Sequence, residues 1–350
     1  MNQPILTIVV PCYNEAEVLR ETKKQLTSKL IHLIEEELIA PQSKLLFVDD
    51  GSKDTTWSLI DEMNAESPFV TGLKLARNVG HQKALLAGLE TARKKSDCVI
   101  SIDADLQDDV SVIREFVEKY RAGYDIVFGV RKSRDKDTSF KKVTAQGFYR
   151  FMNRLGIDLV YNHADFRLMS KRALTELARY GEKNLFIRGI IPLIGLRTTK
   201  VLYDRKERLA GESKYPLKKM ISFAFDGITS FSVVPIRMIT IIGFISFFIS
   251  SLAGIYVLAV KFLGQPNEGW SSLMVSLWFI GGLLLMSMGL IGEYIGKIYE
   301  ETKHRPRFII ETDLYSNQMN QSVLESMAFN SWKRADDEIL FYSFFNSRMY

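Results

Sequence analysis

Two stretches of 23 residues, Met238–Val260 and Trp270–Gly292, contain no charged residue. A helix rises 1.5 Å per residue, so each would span roughly 34 Å, against about 30 Å of hydrocarbon in a bilayer. Both are expected to cross a membrane. The alternative is a pair of buried core helices, which rarely extend so far without a polar face. The Lys261–Gly269 connection carries Gly264, Pro266, Asn267 and Gly269 and predicts a tight turn, making an antiparallel hairpin. The spans lack Asp, Glu, Lys, Arg and His, the groups that mark an ion or proton path, which argues against a channel or transporter. The hairpin reads as an anchor or as part of a lipid-facing groove.

Charge placement orients it. Lys214, Lys218, Lys219 and Arg237 precede the hairpin, and Lys297, Lys303, Arg305 and Arg307 follow it; the turn carries only Lys261, opposed by Glu268. The positive-inside tendency places both arms, and both termini, in the cytoplasm. Trp270 and Tyr299 lie where interfacial aromatics are expected. Residues 1–20 carry Glu15 and Glu17 instead of a basic start and an apolar run, so no signal peptide is read there. A mean hydropathy of −0.01 is high for a chain with 25% charged residues, and it fits a polar part joined to a very apolar one. The excess of 46 basic over 41 acidic residues is small and makes no obvious nucleic-acid footprint, and two cysteines exclude a disulfide scaffold. With 22 Phe the chain is not of the disordered class.

The first 130 residues alternate short apolar runs with amphipathic stretches. Strands are expected at Leu6–Pro11, Lys44–Val48, Val70–Leu75, Val99–Ile102 and Asp125–Gly129. Helices are expected at 15–38, 54–65, 81–94 and 110–121, with Asn14 as a plausible first N-cap. Such alternation predicts a mostly parallel sheet covered on both faces, with ligands outside the carboxyl ends of its strands. Three polar clusters fall at those ends: Pro11-Cys12-Tyr13-Asn14-Glu15, Asp49-Asp50-Gly51-Ser52 and Asp103-Ala104-Asp105-Leu106-Gln107. In extended chain Asp103 and Asp105 would project to one side and share a cation, with the Gln107 amide nearby, a donor set suited to Mg²⁺ or Mn²⁺. A solvated turn capping the next helix is the alternative, with Asp108 and Asp109 as caps. Asp49 and Asp50 read either as a turn leading to a helix capped by Ser52 or Asp54, or as acceptors for a nucleobase or ribose. Glu15 can simply serve the first helix dipole. Cys12 reads as a small buried residue.

Taken together, Ile-Val-Val-Pro-Cys-Tyr-Asn-Glu, Phe-Val-Asp-Asp-Gly-Ser and Ile-Asp-Ala-Asp-Leu-Gln-Asp resemble a family 2 glycosyltransferase of the GT-A fold. The 163–169 run His-Ala-Asp-Phe-Arg-Leu-Met and the 208–215 run Arg-Leu-Ala-Gly-Glu-Ser-Lys-Tyr resemble the polyprenyl-phosphate glycosyltransferases, which include dolichol-phosphate mannosyltransferases and bactoprenol glucosyltransferases. His163-Ala164 stands where a Cys-Gly-like pair is expected, and leaves Asp165 in place. The resemblance covers roughly residues 5–310. It implies a Rossmann-like α/β domain over 1–215, with the transmembrane hairpin over 236–300 and a cytosolic tail over 301–350; between them Lys218–Phe231 mixes Lys, Phe and Ile and reads as an interfacial segment (216–235) or as an ordinary amphipathic packing helix.

The resemblance further implies site roles. Pro11, Tyr13 and Glu15 would line the nucleotide site, with Asp50 near the base. Asp103 would lie by the ribose and metal; Asp105 and Gln107 would hold the metal. Asp165 belongs to an acceptor-side acidic motif, and Arg131, Arg134, Arg208 and Lys214 to segments that contact phosphates. The implied reaction is inverting, metal-dependent transfer from a nucleotide-diphosphate sugar, with UDP-glucose or UDP-N-acetylglucosamine favoured as donor. The implied acceptor is undecaprenyl or another polyprenyl phosphate at the cytosolic face of a bacterial inner membrane. A second copy of the chain and a downstream flippase or envelope glycosyltransferase are the implied partners, and no nucleic acid. The run Arg131, Lys132, Arg134, Lys136, Lys141 and Lys142 reads as attraction to lipid phosphate or as a solvated loop. A processive polysaccharide synthase is disfavoured by the absence of further spans and of Gln-x-x-Arg-Trp. An inactive, membrane-anchored nucleotide-sugar binding or scaffold protein is the competing reading, which the intact Asp-x-Asp-x-Gln opposes.

Overall fold

The computed structural model describes residues 3–132, 163–182, 187–204, 234–262 and 269–316. The basic run beyond Lys132, Arg134, Arg208, Lys214, nearly all of the 216–235 segment, most of the hairpin turn and the chain beyond 316 lie outside the described residues.

Strand β1 (Leu6–Cys12) is buried along its whole length, which only a strand covered on both faces can be. Its side chains alternate: Leu6, Ile8, Val10 and Cys12 enter one core cluster, Val9 the other. β2 (Lys44–Asp49) and β4 (Cys98–Ser101) pair with it in parallel, and β3 (Val70–Leu75) pairs in parallel with β2. The crossovers between them are helices α1 (Ala16–Glu35), α2 (Thr56–Glu66) and α3 (His81–Arg93). α3 lies close on the sheet because Gly88 permits it. A Cβ there would sit 2.4 Å from Val9 Cγ1 and 2.7 Å from Val48 Cγ2. α4 (Ile113–Arg121) follows a short 3₁₀ turn and leads to β5 (Ile126–Arg131).

The remaining strands make the sheet mixed. β6 (His163–Ser170) runs antiparallel to both β4 and β5, and β7 (Thr198–Tyr203) is parallel to β5. α5 (Lys171–Leu177) and α6 (Ile187–Leu193) join these strands. With a last strand, β8 (Ile310–Asp313), at the outer edge, the order is β7-β5-β6-β4-β1-β2-β3-β8. Because β6 is reversed, its first residues lie at the edge where the parallel strands end, and Ser101 Oγ donates to the Asp165 carbonyl.

Two long helices follow, α7 (Val234–Phe262) and α8 (Trp270–Thr302). Within α8 the stretch Phe279–Thr302 is long and apolar enough to cross a membrane. Phe244, Phe248 and Leu285 are among the large side chains that these helices expose, at 63%, 64% and 72%. The segment expected to begin as a tail instead returns to the sheet. β8 (Ile310–Asp313) pairs antiparallel with β3 as an edge strand. Arg307 donates to Glu90 Oε1 (3.0 Å) on α3 and to the Tyr180 carbonyl (3.1 Å). Tyr315 is buried, its hydroxyl 3.0 Å from Thr7 Oγ1 and 3.1 Å from Ser96 Oγ.

Candidate active site

The loops after β1 and β2 are tied together. The Asn14 amide N–H donates to Ser52 Oγ (3.0 Å), and the Lys53 N–H donates to Asn14 Oδ1 (2.9 Å). Glu15 N–H reaches Thr56 Oγ1 (3.0 Å). Asn14 takes positive φ (53°) and so turns the chain, and α1 begins at Ala16 with no side-chain cap of its own. Its side chain is spent across the cleft, which is why it does not cap α1. Pro11 is buried beneath this junction, Tyr13 is 37% exposed at its rim, and Glu15 is half-buried. Cys12 is buried, and that burial pushes its thiol well up.

Asp50 is 2% exposed and braces the neighbouring loop. Its Oδ1 accepts from Val79 N–H (2.7 Å) and its Oδ2 from Gly80 N–H (2.9 Å). Burial raises this carboxyl, and the two amide bonds oppose the rise. The brace fixes the start of α3, where His81 points back into the cleft. That is a structural duty beyond the one read from sequence.

After β4 the chain leaves strand geometry, so Asp103 and Asp105 are related by a turn and not by strand alternation. Leu106 takes φ 53°, and Gln107 N–H donates to Asp105 Oδ1 (3.2 Å). Gln107 is buried. Asp109 caps the following 3₁₀ turn by accepting from Ser111 N–H (3.1 Å), as expected of it. Asp108 does not cap. It is buried, and Oδ1 takes the Tyr203 hydroxyl and Arg131 Nη2 (3.3 Å). Arg131 Nε also reaches Tyr203 Oη (3.3 Å). The one described residue of the four basic candidates is therefore engaged at the end of β5.

Asp103 Oδ1 is buried and makes no hydrogen bond, with His81 Nε2 3.5 Å away. Burial, with the negative charge of Asp165, Asp108 and Asp105, pushes this carboxyl up to about 6 against the opposing pull of His81. An orphaned buried oxygen beside Asp105 and Gln107 fits a hard divalent cation, which would remove the charge crowding. The carboxylates of Asp103 and Asp105 suit a hard divalent cation, though no group of three or more His, Cys, Asp or Glu ligands is gathered among the described residues.

Asp165, at the start of β6, has a side chain only 8% exposed. Arg188 on α6 grips it twice, Nε to Oδ1 (3.1 Å) and Nη2 to Oδ2 (2.8 Å). Arg167, fully buried two residues along the same strand face, donates to Oδ1, and His81 Nε2 lies 3.4 Å from Oδ2. Burial alone would raise this carboxyl, but Arg188, His81 and Arg167 outweigh burial and hold it well below the usual carboxylate range. Burial lowers His81, whereas Asp165 and Asp103 more than restore it, so its imidazole sits above the ordinary value. His81 thus bridges the Asp103 and Asp165 carboxylates.

His81, Arg167 and Arg188 were not singled out from sequence. Arg167 had a usable signal, since i and i+2 on a strand share a face. His81 had another, as a titratable residue just after a strand's carboxyl end. Arg188 had none, because only packing brings α6 to β6.

The acidic loops lie at the carboxyl edge of the parallel strands of a mixed α/β sheet, and residues 7–178 match the model of glycosyl transferase family 2. The chain belongs to that family. It is 64% identical over 319 residues to the Bacillus subtilis (strain 168) protein named "Uncharacterized glycosyltransferase YkoT", covering 91% of this chain and 95% of that one. It is 40% identical over 310 residues to the bactoprenol glucosyl transferase of Shigella phage SfV, covering 88% and 98%. A crystal structure of glucosyl-3-phosphoglycerate synthase from Mycobacterium tuberculosis, with Mn²⁺, UDP and phosphoglyceric acid, is similar over 63% of this chain and 75% of that one. Its TM-score is 0.43 at 18% identity.

Proposed function

We propose that this chain transfers a glucosyl or N-acetylglucosaminyl group from a UDP-sugar to a polyprenyl phosphate, such as undecaprenyl phosphate, at the cytosolic face of a membrane. The observation that carries the reading is the 40% identity with a bactoprenol glucosyl transferase over 98% of that protein, the long helices included.

In this reading Pro11, Tyr13, Glu15 and Asp50 form the nucleotide side of the cleft. Asp103, Asp105 and Gln107 would hold a divalent cation, which supplies charge neutralisation for the departing diphosphate. Arg208, Lys214, Arg131 and Arg134 are assigned to phosphate contacts. An oxygen of the acceptor phosphate attacks the anomeric carbon, a C–O bond forms, and the C–O bond to the nucleoside diphosphate breaks with its electron pair leaving on UDP. A single in-line displacement inverts the anomeric centre. The nucleophile is already an anion at neutral pH, so no strong base is needed. This suits a site whose central carboxylate is clamped by cations.

The test is incubation of the purified chain with undecaprenyl phosphate and a panel of nucleotide sugars, with Mg²⁺, Mn²⁺ or EDTA. Glycolipid with a UDP-sugar and metal is expected. Glycolipid from none of the donors overturns the function. Undiminished glycolipid in EDTA overturns the metal assignment alone.

A further inference from the structure

We propose that Arg188 grips the acceptor phosphate and that Asp165 is the positioning residue that aims it. The inference rests on the reading of the chain as a polyprenyl-phosphate glycosyltransferase and assigns the anion-binding group of that site.

Three observations carry it. The first is the shape of the pair. Asp165 takes two donors from one edge of the Arg188 guanidinium, which fixes the plane of the group. The Asp165 side chain is 8% exposed and that of Arg188 39%, so the carboxylate lies behind and the guanidinium in front. A planar fork of this kind is suited to phosphate oxygens.

The second is charge. Asp165 contributes one negative charge, and Arg167 and Arg188 contribute two positive ones. His81 faces both Asp165 and Asp103, so the two carboxylates balance the two guanidiniums and a protonated His81 leaves one positive charge over. Arg167 is shut in the core at 1% exposure, so an incoming anion meets Arg188. The same clamp makes Asp165 a poor proton acceptor, because protonation would leave both guanidiniums uncompensated.

The third is position. The nucleotide-side loops follow β1 and β2, the candidate cation loop follows β4, and Asp165 begins β6 on the other flank of β4. Arg188 comes to Asp165 from α6, whose first residue bonds Gln82 on α3 (Ile187 N–H to Oε1, 3.3 Å), so in this proposal the acceptor phosphate meets it on the Asp165 side of the Asp103 loop. His81, spanning 3.5 Å to Asp103 and 3.4 Å to Asp165, sets the spacing between the two halves.

The experiment measures steady-state transfer by the full chain in detergent, varying undecaprenyl phosphate and UDP-sugar separately, for wild type, Arg188→Gln, Arg188→Lys and Asp165→Asn. Arg188→Gln should raise the KM for the lipid phosphate about ten- to a hundredfold, as for one lost charge-assisted contact, while the donor KM stays within about twofold. Arg188→Lys should recover part of the loss. Asp165→Asn should raise the lipid KM in the same direction and keep kcat within about tenfold, and combining it with Arg188→Gln should add little. Loss of kcat in Asp165→Asn by about 10³ or more at unchanged lipid KM would make Asp165 a base and overturn the proposal. So would a raised donor KM in Arg188→Gln, which would place the donor diphosphate there, or no change in either KM. If Asp165→Asn does not fold, the two Arg188 variants decide by the KM split alone. A wild-type chain that never glycosylates the lipid phosphate brings down the functional reading and this inference together. An active wild type with indifferent Arg188 variants removes only this inference.

Discussion

Gly51 sits at φ +65°, and a Cβ there would lie 2.6 Å from Arg77 C and from Asn78 N. The residue is needed twice, for its left-handed backbone and for the close approach of the 77–80 loop that Asp50 then grips. Gly51→Ala should destabilise the protein by about 1–3 kcal/mol, read from its denaturation midpoint, because no rotamer relieves a backbone contact. A wild-type midpoint would mean that the two loops are not so closely packed. Asp105→Ala tests chemistry at the same scale. It should cut sugar transfer at least about a hundredfold with little change in melting temperature, since the side chain lies in a turn and not in the core. Undiminished transfer would remove Asp105 from the cation site. The acidic residues of these loops were legible in sequence because each follows a strand that is itself legible. Asp50's bond to the Val79–Gly80 amides was not, because it joins two loops that only the β2–β3 pairing brings together.

Element boundaries show the same division. β1 to β5 are apolar runs closed by turn residues, and they fall within a residue or two of the expected limits. β6 was not expected as a strand, because it carries Asp165 and Arg167 inward where alternation calls for apolar residues. β8 is four residues long, Ile-Glu-Thr-Asp, too short for any period to register. Its anchorage lies in single contacts: Lys74 with Glu311 at 2.8 Å, Arg307 with Glu90, and the Tyr315 hydroxyl beneath β1. The Lys74–Glu311 pair is partly exposed and adds little by itself. The buried hydroxyl matters more. Tyr315→Phe should cost about 1 kcal/mol in chemical denaturation, since Thr7 and Ser96 keep each other as partners at 2.6 Å. No measurable loss would show that the strand is held by its ladder and by apolar contact alone.

At the scale of the whole molecule, β8 constrains how the long helices leave the sheet. α8 ends at Thr302 and β8 begins at Ile310, so extended chain between them reaches less than about 30 Å. The carboxyl end of α8 therefore stays beside the catalytic sheet, and the 33 residues of the helix carry its other end about 50 Å away. If α8 crosses the bilayer, the 263–268 connection lies on the face opposite the active site, and the basic residues Lys297, Lys303, Arg305 and Arg307 lie on the active-site face. Cysteine labelling reads this directly, because Cys12 and Cys98 are both buried and give little background. In intact bacterial cells a membrane-impermeant maleimide should label Asn267→Cys and leave Lys303→Cys unlabelled until the membrane is permeabilised. Labelling of both sites only after permeabilisation would show that the helices lie on the membrane without crossing it. The acceptor then distinguishes the consequences. A crossing pair fixes the height of the cleft above the bilayer, so the phosphate of a lipid whose tail stays in hydrocarbon can reach the cleft only at the face that carries Lys303.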